Sequence, residues 1–261
     1  MLEWIFRGLR NGILTTRYPR QPDPYAESFA AAVEVIEPAA PLDLAELCPT
    51  SAISRSERDT IRLDRGKCIL CGRCVDHWPD VFAWAKGSET ARLARPTLVV
   101  PEDRGDGSAD AGLADLRADL TRRVRRLRRS VHIRHVDAGS DGADEWEVAA
   151  LTNPVYDVHR LGIFFTASPR HADILLVTGA GAHGMTQPLA RTLEAMPEPT
   201  VVIAVGTDAI SGGLLSTSYA TAGGVSHQLS VDVWVPGSPA SPFTILHGIL
   251  LALDRVPESR S

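Results

Sequence analysis

The chain has 261 residues, 44% of them hydrophobic, and a formal net charge of -5 from 27 Lys and Arg against 32 Asp and Glu. That length suits two folded, core-forming units rather than one, and the acidic balance argues against nucleic acid as a partner. No run of about 18 apolar residues occurs, so no membrane-spanning helix is predicted.

Residues 1–29 place Trp4, Ile5, Phe6, Leu9, Ile13 and Leu14 among Arg7, Arg10 and Arg17, ahead of a Pro-rich stretch at 18–24. The pattern predicts a short amphipathic helix and a stiff lead-out. Its apolar face has three possible resting places: a lipid surface, a partner subunit, or its own domain. Residues 30–100 form the next unit, with strands expected at 33–36 and 97–100 around all four cysteines of the chain.

Those cysteines are Cys48, Cys68, Cys71 and Cys74. In two-cluster bacterial ferredoxins each C-x2-C-x2-C-x3-C-P run gives three thiolates to one cluster and its Cys-Pro to the other. Here the second run keeps Cys68, Cys71 and Cys74 and has Trp78 at the Cys-Pro position. The first keeps Cys48-Pro49 and has Pro38, Pro41 and Leu44 at its leading positions. The four survivors form one complete ligand set, which predicts one 4Fe-4S cluster beside a deleted one, with Trp78 filling the volume. Zinc also accepts four thiolates, but its usual pattern pairs two C-x2-C knuckles. Disulfides need an oxidising compartment, and the opening Met-Leu-Glu-Trp-Ile-Phe-Arg lacks the features of a secretory leader. Reduced thiolates in a cytoplasm are therefore expected.

Residues 101–130 open on a polar, Gly- and Asp-rich linker. A helix follows, with Leu113, Leu116, Leu120, Val124 and Leu127 on one stripe, ending in six arginines within 122–129. Such a face is a solvated helix surface, or it meets an acidic partner or anionic lipid headgroups.

From residue 131 to 261, strands expected at 131–136, 173–177, 200–205 and 231–235 alternate with helices at 145–151, 186–196 and 242–253. That alternation predicts a parallel sheet covered on both faces, with ligands beyond the carboxyl ends of its strands. The loops of interest are therefore 138–144, 179–184, 206–213 and 236–240. The run Gly179-Ala-Gly-Ala-His-Gly184 matches a G-x-G-x-x-G dinucleotide fingerprint and leaves NAD binding as an alternative.

These loops and their neighbours carry a resemblance. His132-Ile-Arg-His-Val-Asp-Ala-Gly-Ser140, Asn153-Pro154, Ser168-Pro-Arg-His-Ala-Asp173, Glu194-Ala-Met-Pro197, Ser211-Gly-Gly213 and Val235-Pro-Gly237 resemble the small subunit of group 4 membrane-bound nickel-iron hydrogenases and formate hydrogenlyase, and the related complex I subunit. The front of the chain, with Thr15-Thr-Arg-Tyr-Pro19 before the cysteine runs, resembles the ferredoxin-like subunit of the same complexes. The resemblance implies an α+β ferredoxin-like domain fused to an α/β domain with a parallel, flavodoxin-like sheet. It also implies an iron-sulfur electron-transfer subunit that is not catalytic alone and has no small-molecule substrate of its own. Its partners would be a large subunit and membrane subunits, on the cytoplasmic face of the inner membrane.

In that family the small subunit holds a proximal cluster on four cysteines in the strand-end loops. Where the family reads Gly-Ser-Cys-x-x-Cys-Glu, this chain reads Gly139-Ser140-Asp141-Gly142-Ala143-Asp144-Glu145, with Asp208 and Ser238 at the third and fourth positions. Oxygen ligands suit an iron-sulfur cubane poorly, so the proximal cluster is expected to be absent. Asp141, Asp144, Asp208 and Ser238 would then either bind a hard cation or form a hydrogen-bonded rim. A competing expectation is a structural or assembly subunit whose remaining cluster mainly holds the fold.

Overall fold

A computed structural model describes residues 3–40, 48–101, 108–125, 130–216 and 218–258. Pro41, Leu44, Arg126, Leu127, Arg128 and Arg129, named above, lie outside them. Helix α1 (Glu3–Asn11) is followed by β1 (Ala30–Val35), β2 (Ile53–Arg55), β3 (Ile61–Asp64), α2 (Arg73–His77), β4 (Phe82–Lys86) and β5 (Val99–Val100). Strands β1 and β4 pair antiparallel, and β2, β3 and β5 form a second antiparallel sheet. The two expected strands of this region therefore exist, but in different sheets. Between them lies a small core of Val33, Ile53, Ile61, Leu63, Phe82 and Val100, in which Cys68 and Cys74 are themselves buried members. A core this small ordinarily needs a covalent or metal staple.

Then come α3 (Ser108–Val124), β6 (Val131–Asp137), α4 (Ala143–Ala150), β7 (Ile163–Phe165), β8 (Ile174–Thr178), α5 (Thr186–Glu194), β9 (Val201–Val205), α6 (Gly206–Ser211), β10 (Val233–Val235) and α7 (Pro242–Ala252). The sheet is five-stranded and parallel, in the order β10-β9-β8-β6-β7. Counted within this region alone, the order is 2-1-3-4-5, the flavodoxin arrangement, with its switch point between β6 and β8.

Strand alternation sorts the core into two layers. Ile174, Leu176, Val201, Ile203 and Val205 face α7, α4 and α3, while Leu175, Val177, Val202 and Ala204 face α5 and α6. Both faces of β8 and β9 are thereby buried, which is why their sequences are continuous apolar runs. Helix α7 is buried along its whole length, begins at Pro242, and is capped by Ser241 Oγ accepting from Thr244 N at 3.2 Å. The stripe of α3 seats Leu120 and Val124 in this core but leaves Leu116 half exposed. Arg123 donates to Asp232 and, at 3.1 Å, to Thr200 O, so this arginine anchors the helix to the sheet.

The front region is tied to the sheet at several points. Arg92 and Trp234 exchange backbone hydrogen bonds of 2.9 and 2.8 Å. Tyr18, Ala91 and Leu93 join the core beneath α7.

Candidate metal centre

The loop carrying three of the cysteines starts at Asp64, the last residue of β3. Its carboxylate accepts from Gly66 N at 2.9 Å and is gripped by both terminal nitrogens of Arg95, at 2.8 and 2.7 Å. Leu70 and Gly72 adopt positive φ, of 54° and 76°, and so turn the chain around the space between Cys68, Cys71 and Cys74. Glycine suits position 72, because its φ is left-handed and a Cβ there would approach Trp84 Cζ2 at 3.1 Å. Cys74 then enters α2.

Cys48 lies within electrostatic reach of Cys68 and Cys74. Its sulfur accepts from Ala52 N at 3.3 Å and lies 3.5 Å from Thr50 Oγ1. All four cysteines are free thiols. Burial pushes the Cys68 thiol up to about 12, and the three other cysteines add to that rise. Burial also raises Cys74.

Four thiols within electrostatic reach of one another, two of them buried, make a poor site for bare thiolates and a good one for thiolates held by iron. An N–H aimed at sulfur is one of the devices that tune such clusters. Among the described residues no three His, Cys, Asp or Glu side chains close on the position of a single metal ion. A four-iron cluster asks for something else, one thiolate on each iron around a larger volume, and the donor set fits it. Trp78, at the Cys-Pro position, packs against this same core with Trp84, and its backbone N–H donates to Cys74 O at 2.9 Å.

Directly across lies the acidic rim. Asp144 is 6% exposed, and its Oδ1 accepts from Ala240 N at 2.9 Å, tying α4 to the loop that contains Ser238. A Cβ on Gly206 would overlap the Asp144 carboxylate, and one on Gly213 would overlap Asp208. Both glycines have positive φ, of 89° and 50°. Burial, opposed by the Ala240 hydrogen bond and reinforced by Asp208, Glu145 and Asp141, pushes Asp144 up to about 7. Asp208 is raised by burial and then by Asp141 and Glu145. Asp141 is exposed and caps its own turn by accepting from Ala143 N at 3.0 Å, while Ser238 is exposed. The structure thus brings the three aspartates together electrostatically, but not as a ligand set for one ion among the described residues.

Several functional contacts had no signal in the sequence. Thr207, between Gly206 and Asp208, donates its hydroxyl to Cys68 O at 2.9 Å, so the rim and the cysteine loop share a wall. Thr178 donates to Glu145 and lies 3.1 Å from His135 Nε2. Burial lowers the His135 pKa. His132 and His159 stack on Phe164.

The glycine run 179–184 is committed elsewhere. A Cβ on Gly179 would sit 2.7–2.8 Å from Gly139 backbone atoms, and one on Gly181 would sit 2.9 Å from Gly224 O. The amides of Ala180, Ala182 and His183 donate to Gly139 O, Ala138 O and Ala220 O. The fingerprint serves loop-to-loop packing, with three of its amides already used, and offers no phosphate cradle of the dinucleotide kind.

Comparison with known proteins accounts for both regions. Residues 142–252 match the family model described as NADH ubiquinone oxidoreductase, 20 Kd subunit, and residues 61–119 match a 4Fe-4S single cluster domain. Formate hydrogenlyase subunit 7 of Escherichia coli is 36% identical over 146 residues, which are 56% of this chain and 56% of that protein. The chain thus spans just over half the length of that relative. A probable membrane-bound hydrogenase subunit of Pyrococcus furiosus is 39% identical over 128 residues, 49% of this chain and 77% of that one. An NADH-quinone oxidoreductase subunit of Rhizobium meliloti is 41% identical over 106 residues, 41% and 63% of the two chains.

Proposed function

Because the chain belongs to the family of the complex I 20 kDa subunit and its hydrogenase relatives, we propose that it is an iron-sulfur electron-transfer subunit of a membrane-associated, hydrogenase-related oxidoreductase complex. The proposal assigns Cys48, Cys68, Cys71 and Cys74 to one 4Fe-4S cluster in a ferredoxin-like domain spanning about residues 30–100. The observation that carries it is the set of four free thiols within electrostatic reach of one another, one of which already accepts a backbone N–H.

When bound, such a cluster supplies one-electron storage. The protein's own part is to hold and tune. Arg95 and Asp64 fix the loop, the Ala52 amide offsets negative charge on the Cys48 sulfur, and the burial of Cys68 and Cys74 limits water access. Asp141, Asp144, Asp208 and Ser238 stand where the family carries thiolates, so no proximal cluster is assigned to the 131–261 domain.

The partners in this reading are a large subunit and membrane subunits, with the chain peripheral on the cytoplasmic face of the inner membrane. No helix among the described residues is long and apolar enough to cross a bilayer. Trp146, two residues after Asp144, and Leu214 and Leu215, just after Gly213, are exposed and suit a protein-covered face.

The thiol-free rim favours a second reading, in which the cluster mainly holds the fold of a structural subunit. The two separate on Cys71→Ser in the intact complex. Lost electron transfer with normal assembly supports the first reading, and lost assembly supports the second. Absence of iron and acid-labile sulfide from anaerobically purified chain defeats both.

A further inference from the structure

Helix α1 is separate from every core of the molecule. None of its residues is buried, and Trp4, Phe6 and Leu9 are 69%, 64% and 75% exposed. At 100° per residue, Glu3, Arg7, Arg10 and Asn11 fill a sector of about 100°, and Trp4, Ile5, Phe6, Gly8 and Leu9 fill the rest. Ile13 and Leu14, also exposed, prolong the apolar side beyond Gly12.

The stem that follows is firmly seated. Thr15 Oγ1 donates to Pro154 O at 2.7 Å and Thr16 N to Val155 O at 2.9 Å, while Arg160 donates to Tyr18 O at 2.6 Å. The Tyr18 ring is buried edge-on against Phe243. The helix therefore leaves the body of the protein at an anchored point.

A helix of nine residues is marginal in water by itself, so an apolar face this wide needs a surface to settle on. Residues 3–20 carry four arginines and one glutamate in a chain of net charge -5. Arg7, Arg10, Arg17 and Arg20 form no ion pair among the described residues. At about 13 Å, the helix is far too short to span a hydrocarbon core of about 30 Å. Basic charge beside a continuous apolar arc is the signature of a helix lying in the headgroup plane of an anionic membrane.

We propose that α1 is an in-plane membrane anchor, its Trp4, Ile5, Phe6 and Leu9 face sunk into the boundary of an anionic bilayer and its arginines on the phosphates. This deepens the membrane-associated part of the reading above and does not depend on the cluster.

The test is co-sedimentation of the full chain with protein-free vesicles, of phosphatidylcholine alone and of phosphatidylcholine mixed with phosphatidylglycerol. The expected result is binding to the mixed vesicles, weak binding to the neutral ones, and a decline as salt rises. Neutralising Arg7 or Arg10 to Gln should weaken binding about fivefold each. The pair Phe6→Asp and Leu9→Asp should weaken it by at least about tenfold, with iron content unchanged because no residue of α1 is buried. Failure of the parent chain to bind mixed vesicles would make a protein subunit the occupant and overturn the proposal. Equal binding to neutral vesicles, or undiminished binding by the double variant, overturns it too. A chain that binds vesicles but lacks iron keeps the anchor and removes the electron-transfer reading, so the two fail separately.

Discussion

The cysteine loop and the acidic rim face each other through Thr207 and close their loops by opposite means. In the front region four free thiols belong to or pack on a small core, and on the proposed reading its stability depends on metal supplied from outside. Behind it, the same task falls to protein atoms alone: the Asp144 carboxylate holds Ala240 N, and Gly206 and Gly213 let the backbone come close enough to be held. The first arrangement should answer to iron and the second to pH.

The largest effect should come from breaking the first half of this contrast. Structural metal sites contribute on the order of 10 kcal/mol. Cys68→Ser should therefore abolish iron binding and strip amide-exchange protection from about residues 48–101 while leaving β8, β9 and α7 protected, as read by hydrogen exchange. Equal loss in both halves would mean that they fold as one unit.

Gly206→Ala attacks the second half. Its φ of 89° and the overlap with the Asp144 carboxylate predict a loss of about 2–3 kcal/mol. Denaturant titration that followed the C-terminal core and showed less than about 1 kcal/mol would contradict the close approach.

The pH response sharpens the comparison next. Asp144 has a folded pKa near 7, above its ordinary value of 3.8, so the folded state holds more protons between those values. Its contribution is fully present below about pH 4 and is lost as pH rises through about 7. The span is up to about 4 kcal/mol. Asp208 is shifted in the same direction, and the lowered His135 acts oppositely, losing stability on acidification. Comparing the parent with Asp144→Asn isolates the one aspartate: the variant's stability should fall less between pH 4 and 7. An identical pH profile would mean that Asp144 does not titrate in that window.

The smallest effect belongs to the shared wall. Thr207→Val should cost about 1 kcal/mol through the lost bond to Cys68 O and should shift the reduction potential of the front-half cluster slightly. An unchanged potential would show that the wall transmits nothing.

Much of this protein was legible in its chain. The 4Fe-4S signature could be read because Cys68, Cys71 and Cys74 recur at a fixed spacing, and residues 61–119 match a 4Fe-4S single cluster domain. Strands β8, β9 and β10 could be read because burial on both faces demands apolar runs, and β6 because Val131, Ile133 and Val136 are its buried apolar positions. Strand β7 escaped because three residues, Ile163–Phe165, are too short for any period to emerge. Helix α6 escaped because its flanking glycines read as loop, although their positive φ is what lets the chain enter and leave the helix.

By itself, then, the sequence determined the number of the thiols and their place in the front half, the amphipathic front segment and the alternation that makes a parallel sheet. Only the tertiary structure decided that Asp144 closes the rim, that Thr207 joins it to Cys68, that the glycine run packs on neighbouring loops, and that α1 is left bare. The physical reason is range. Spacing and periodicity act over a few residues, whereas the bonds from Asp144 to Ala240 and from Thr207 to Cys68 bridge 96 and 139 positions, and only packing brings such partners together.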